Sequence, residues 1–205
     1  KQYYTVENSQ QRPCMEDQIA ISRLKQGDPG GLETLVRDYQ VRAVYTAYMI
    51  LFDRSLAEEI AQTAFVRVAE KIQYFDELRP FAPWFLRIVV NEALRVSRQQ
   101  QQLVSLDENP DEASLTVARW LLDPQPRPEK LVELAETRQV LLNALRCLTA
   151  EQRAVVVMRY YLEMSEADMS AKLERPISTI KWWLHTARER LKTLLRASRL
   201  FEDRE

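Results

Sequence analysis

Apolar residues recur every three or four positions along most of this chain, and no convincing alternation of apolar and polar residues lies between turn signals. The pattern predicts an all-α fold. The stretch QGDPGG at 26–31 punctuates the start of a helix carrying Leu32, Leu35, Val36, Tyr39, Val44, Ala47 and Leu51. A second helix is predicted from Ser55 to Tyr74, with Leu56, Ile60, Ala64, Phe65, Val68, Ile72 and Phe75 on one stripe. Glu58, Glu59, Gln62, Thr63, Arg67 and Glu70 fall on its opposite face. Pro80 and Pro83 then force a constrained loop over DELRPFAP, residues 76–83, with Pro83 suited to the start of the following helix. In that helix Phe85, Ile88, Val89 and Val96 are predicted to face the core. Trp84, Arg87, Asn91, Arg95 and Arg98 recur along another face, an aromatic-headed basic stripe of the kind that suits nucleic acid. The plainer reading is a packed tryptophan with solvated arginines.

The pattern breaks between Gln99 and Lys130, where a glutamine run is followed by DENPDE and DPQPRPEK. From Ser105 to Lys130 six acids stand against three bases, which predicts a flexible acidic linker. Inside it SLTVARWLL, residues 114–122, is an apolar island suited to a short docking helix. Helical patterning resumes with Leu131, Leu134, Val140, Leu141, Leu145 and Leu148. Thr149 with Gln152 three residues on is a capping-box spacing, and it opens a helix carrying Ala154, Val155, Met158 and Tyr161.

The segment 165–191, SEADMSAKLERPISTIKWWLHTARERL, predicts two short helices around a tight turn. Met169, Leu173, Ile177, Ile180, Leu184 and Leu191 form the buried side, and Ser178 is the expected N-cap of the second helix. Lys181, Trp182, His185 and Arg188 then point outward, as in a recognition helix of a helix-turn-helix. Such helix pairs are common, so local charge matters more. Between Arg175 and Arg199 seven bases face the single acid Glu189, although the whole chain has a formal net charge of -1. Concentrated basicity of this kind suits a phosphate backbone.

Composition narrows the remaining chemistry. Cys14 and Cys147 lack metal-ligand spacing and His185 is the sole histidine, so the reading includes no metal, no cofactor and no catalytic residue. No apolar run is long enough to span a bilayer, and with neither a signal peptide nor a disulfide framework the expected location is cytoplasmic, without membrane insertion. The predicted plan is an extension at 1–15, a helical domain at 16–100, a linker at 101–130, a second helical domain at 131–200 and a tail at 201–205.

The residues from LVRDYQVRAVYTAYMILFDRSLAEEIAQTAFVRVAEK through RPFAPWFLRIVVNEALR resemble region two of the sigma-70 family, in its extracytoplasmic-function group. The residues LRCLTAEQRAVVVMRYYLEMSEADMSAKLERPISTIKWWLHTARERLKTLL resemble region four. The resemblance implies an alternative-sigma transcription initiation factor that binds bacterial RNA polymerase core and melts specific promoters. Asp53, Glu58, Glu59, Gln62 and Phe65 would match the surface that docks the polymerase beta-prime clamp helices, with the beta flap as a further contact. Arg79, Phe81, Trp84, Arg87, Asn91, Arg95 and Arg98 would hold the unpaired minus-ten strand. Ser178, Thr179, Lys181, Trp182, His185 and Arg188 would meet the minus-thirty-five duplex. Promoter DNA, polymerase core and an anti-sigma protein are the implied partners. The chain departs from the family at Trp182, Trp183 and Thr186, where small or basic residues are common. It departs also at Arg95, where an acid is frequent, and at Glu174, where a turn glycine is usual. A free-standing helix-turn-helix regulator and a structural adaptor are the competing readings. The regulator would not need an acidic docking face followed by a proline and aromatic loop and a basic helix, and the adaptor would show no salt-sensitive DNA binding.

Overall fold

The structure, a computed structural model, describes residues 15–103, 137 and 139–197. The expected extension, the linker beyond Leu103 with its island at 114–122, the residues Leu131 and Leu134 and the tail lie outside them. The described residues form helices and turns only. They are α1 (Met15–Lys25), α2 (Pro29–Leu51), α3 (Arg54–Lys71) followed by a 3-10 turn (Ile72–Tyr74), and α4 (Phe81–Leu103). After the linker come α5 (139–146), α6 (Ala150–Tyr160), α7 (Glu166–Leu173) and α8 (Ile177–Ala197). None of these helices is long and apolar enough to cross a membrane.

Local chemistry sets the boundaries. Asp28 caps α2 by accepting from the Gly30 N–H at 2.8 Å, and Pro29 fills the first helical position, where a missing N–H costs nothing. Gly31 lets α1 and α2 close on each other, since a Cβ there would strike the carbonyl of Ala20. Asp53 caps α3 through the Leu56 N–H at 2.9 Å. Thr149 and Gln152 form the reciprocal capping box their spacing predicted. Ser178, by contrast, does not cap α8. The helix starts one residue earlier, and the Pro176 carbonyl takes the N–H groups of Thr179 and Ile180, so Ser178 sits exposed inside the first turn. The helix α4 also runs through the glutamines to Leu103, past the boundary that composition suggested.

The first module packs α1, α3 and α4 around α2. Its centre is an aromatic cluster in which Phe81 stacks on Phe85 with centroids 5.5 Å apart, edged by Tyr39, Phe75 and Trp84. The second module closes α7 and α8 on α6 over Met158, Met169, Leu173, Ile180 and Leu184. The sequence predicted two helical bodies on a tether; the structure packs them face to face, with α6 against both α2 and α4. Leu86, Val90, Ala93 and Leu94, not expected among the core residues of α4, are buried along with Phe85 and Val89, in a helix that packs against α2, α3 and α6.

One residue ties the modules together. Arg153 of α6 donates through Nε to the Ile50 carbonyl at the end of α2 and through Nη1 to the Leu148 carbonyl at 2.6 Å. Its guanidinium lies 5.2 Å from the ring of Phe52, and that of Arg146 lies 5.1 Å from the same ring. Phe52 ends α2 in the left-handed conformation, φ 57°, which turns its ring toward the second module. Burial pushes the Arg153 pKa down to about 10, so the group stays charged at neutral pH.

Two stability measurements test this architecture. Arg153→Ala strands two buried carbonyls and is expected to lower the unfolding free energy in urea by about 2 kcal/mol or more, with Arg153→Lys intermediate because one ammonium replaces a fork. Glu174 ends α7 at φ 52°, the left-handed site its turn position suggested. Glu174→Gly is expected to raise stability by about 1 kcal/mol, read as a higher midpoint in the same titration.

Candidate nucleic-acid and docking interfaces

Three surfaces gather the residues singled out in the sequence. On the first, α2 and α3 leave a groove of about 470 Å³ between them. Val41, Val44, Tyr45 and Phe65 give it an apolar lining, and Glu58 and Gln62 of α3 join that lining. Phe65 is 6 % exposed, so its ring belongs to the core and the groove at once. Glu58 is held by Arg54 one turn earlier at 2.8 Å, Glu59 is exposed, and Asp53 is committed to capping α3. Val41 and Val66 add exposed apolar surface on α2 and α3, which the periodicity did not single out.

The second surface runs from the loop 75–80 along α4. Asn91 and Arg95 are exposed, and Trp84, Arg87 and Arg98 are half-buried. Phe81 is 1 % exposed and its ring serves the aromatic cluster, so it supports the loop from beneath and presents no face to a ligand. Trp84 packs on Phe75 with centroids 4.7 Å apart. Arg79 is exposed and paired with Asp76 at 3.2 Å. Arg87 donates to the Pro83 carbonyl at 2.8 Å, and burial lowers its pKa while Asp168 of α7 opposes that shift across the module boundary.

The electrostatic hub of this face is Glu92, which sequence reasoning passed over. Its carboxylate is 3 % exposed and takes Arg67 of α3 at 2.7 Å and Arg95 of α4 at 3.0 Å. Arg67, read in the sequence as part of the solvent face of α3, is thus bound to α4. A buried carboxylate needs such partners, and with two of them the cluster keeps one net positive charge. The alternation of apolar and polar residues held no signal for it, because Glu92 occupies a polar position whose partners come from two helices.

The third surface is α8. Lys181, Trp182, His185 and Arg188 are exposed, with Trp182 at 60 %, and Trp183 is partly buried against the core. Thr179 is half-buried and Ser178 exposed. Arg188 donates to the Tyr160 hydroxyl at 2.7 Å, which fixes its direction, and Lys181 stands 3.9 Å from Glu166 of α7. The turn between α7 and α8 is held by Ser170, whose hydroxyl donates to the Arg175 carbonyl at 2.6 Å. Together α7 and α8 present a rigid helix pair with a basic, aromatic outer face.

Glu92→Ala is expected to destabilise the chain by about 1 kcal/mol or more, because it removes the acceptor that Arg67 and Arg95 share between α3 and α4, whereas Arg95→Ala leaves Glu92 its Arg67 partner and costs less. Thermal unfolding followed by circular dichroism separates the two.

The chain matches the family models described as Sigma-70 region 2, over residues 35–102, and Sigma-70, region 4, over residues 138–191, together more than half its length. It is 29 % identical over 177 residues to the ECF RNA polymerase sigma factor SigW of Bacillus subtilis, covering 86 % of this chain and 95 % of that protein. It is 25 % identical over 178 residues to the ECF RNA polymerase sigma-E factor of Escherichia coli, covering 85 % and 92 %. In fold it is similar to CnrH, solved in complex with the cytosolic domain of CnrY, at a TM-score of 0.54 and 21 % identity over 89 % of this chain and 98 % of that one. It has the same TM-score and identity to the sigma factor RpoE solved with the anti-sigma factor NepR from Bartonella quintana, over 82 % and 98 %.

Proposed function

Since the chain belongs to the sigma-70 family, as an extracytoplasmic-function sigma factor, we propose that its three surfaces divide the work of promoter-directed initiation among them. Such a factor is a specificity subunit: it directs RNA polymerase core to promoters, and the polymerase performs the phosphodiester chemistry. The observation that carries the assignment is the α2–α3 groove, an apolar floor with the acidic Glu58 among its lining residues. A helix from the polymerase clamp would seat there, with Glu58, Glu59 and Gln62 meeting its basic side chains, Phe65 forming the floor and Asp53 fixing the start of α3. The face of α4, with Arg87, Asn91, Arg95 and Arg98, would carry the unpaired minus-ten strand, and Arg79 would stand at its head. Lys181, Trp182 and His185 would reach base edges of the minus-thirty-five element, while Ser178, Thr179 and Arg188 meet phosphates.

The packed arrangement adds a constraint. Elements centred about 25 base pairs apart lie about 85 Å apart on duplex DNA, at about 3.4 Å per step. A body of the described size has a radius of gyration of about 15 Å. The two readers therefore have to part at the α6 contact before both elements are engaged. An anti-sigma partner would hold the chain silent, as the sigma factor RpoE is solved with the anti-sigma factor NepR.

Run-off transcription from a genomic promoter library, with polymerase core and with or without the chain, tests the reading. Chain-dependent starts sharing two spaced sequence elements are expected. Glu58→Lys combined with Gln62→Lys is expected to weaken core binding by about tenfold or more and to abolish those starts, while duplex binding by α8 is retained. Salt-dependent duplex binding without any new start would favour the free-standing regulator.

A further inference from the structure

The groove between α2 and α3 holds about 470 Å³, room for several large side chains, and Val41, Val44, Tyr45 and Phe65 make its lining mainly apolar. Val41 in that lining is 41 % exposed, and Val66, next to Phe65 on α3, is 57 % exposed. Apolar surface of this kind costs free energy in water and marks a place where something binds. The charged members of the lining come from α3. Arg54 and Glu58 pair at 2.8 Å, one turn apart, and Glu59 stands exposed beside them, so this rim carries a net negative charge.

The chain itself carries a segment of matching chemistry. Residues 114–122, SLTVARWLL, lie outside the described residues, and six of the nine are apolar, Trp120, Leu121 and Leu122 among them. Their one charge is Arg119, opposite in sign to the rim. Reach is no obstacle. Beyond the linker the chain runs through α5 to Arg146, whose guanidinium lies 5.1 Å from the ring of Phe52, and Phe52 is two residues from Arg54 in the groove lining. The residues between Leu122 and position 137 can span about 45 Å, against about 12 Å for the length of α5. A tether this short holds the segment at an effective concentration in the millimolar range beside the groove, so modest affinity suffices for occupancy.

We infer that residues 114–122 seat in the α2–α3 groove of the free chain, with Trp120 and its apolar neighbours against Val44, Tyr45 and Phe65 and with Arg119 beside Glu58 and Glu59. The inference rests on the docking role proposed above for this groove and adds its regulation: the chain's own linker competes with the polymerase helix for one seat, and core binding releases it. The acids that flank the segment, Glu112 and Asp123 nearest, are the rival pull, since charge alone would lay the linker along the basic faces of α4 or α8. Trp120, Leu121 and Leu122 gain nothing there, whereas the groove takes them out of water.

The test places a benzophenone amino acid at position 41 of the full chain, in place of Val41, and identifies the photo-cross-linked peptide by mass spectrometry. The free chain is expected to give a cross-link within one molecule to the peptide holding 114–122, unchanged on dilution and lost when polymerase core is added. The double variant Trp120→Ser, Leu121→Ser should lose the cross-link and bind core about tenfold more tightly, with thermal unfolding of the two modules unchanged. Arg119→Glu should weaken the cross-link in part. Cross-links that form only between molecules, or that fall on another peptide, overturn the inference, as does a double variant that binds core no more tightly than wild type. A probe at Asn91 on α4 that captures the 114–122 peptide in place of the probe at Val41 puts the linker on the basic face and overturns it too. In each of these cases the docking role stands if Glu58→Lys with Gln62→Lys still weakens core binding. If the cross-link to 114–122 persists in the core complex, the docking role of the groove fails and the competition with it.

Discussion

The fork of hydrogen bonds from Arg153 decides the shape of this molecule. A helix ends with carbonyls that have no partner within it, and at the end of α2 the Ile50 carbonyl is answered by a side chain from a helix more than a hundred residues away. The same guanidinium takes the Leu148 carbonyl, so one cation closes α2 and the turn before α6 together. Phe52, turned outward by its left-handed backbone, is then covered by Arg153 and Arg146 and joins the small cluster of Leu145, Leu148 and Ala187. With these groups in register, Tyr161 of the second module meets Tyr45 of the first at 6.4 Å between centroids. Tyr45 also lines the α2–α3 groove, so that groove and the module contact share a side chain.

How far the sequence foretells this depends on whether a residue answers to its own helix or to another. The α3 stripe was legible because its buried side faces one neighbouring layer: Ile60, Ala64, Phe65, Val68 and Ile72 are all buried as their spacing predicts. The helix α4 was half legible. It is enclosed on two sides, so Leu86, Val90 and Ala93 are as buried as Phe85 and Val89, and a pattern that assumes one wet face misplaces them. A one-residue ambiguity in α5 had the same origin, with Leu142 buried and Leu141 exposed where the sequence favoured Leu141. Arg153 and Glu92 were invisible for a deeper reason. A charged residue on a helix surface is ordinarily solvated, and only the tertiary partner reveals that it is not.

The candidate sites follow the same rule. Exposed polar residues at helical spacing on α8 were readable because they lie on the side of the helix away from its packed face. The aromatic residues around the loop 75–80 were not readable, because sequence alone cannot divide aromatics between a core and a surface. Five aromatic residues lie between Tyr74 and Phe85, and packing assigns Phe75, Phe81 and Phe85 to the interior, Trp84 to the edge and Tyr74 to solvent. The backbone ties from Lys25 and Gln73 make that division, and they join positions 48 and 50 residues apart in the chain.

The physical character of the module contact bears on what opens it. Arg87 and Asp168 act on each other across the boundary, but Asp168 is exposed and already held by Ser165 at 2.7 Å, so their attraction is screened and weak. The rest of the contact is the Arg153 fork and the apolar packing of α6 on α2 and α4, and burial of that kind is not weakened by moderate salt. DNA offers the chain phosphate charge, which competes well with Asp168 for Arg87 but does nothing to the apolar seam. A partner that offers apolar surface next to Tyr45, as a helix seated in the α2–α3 groove does, reaches the seam where charge does not. On the proposed division of labour, docking on polymerase would come first, parting of the modules second, and reading of the two promoter elements last.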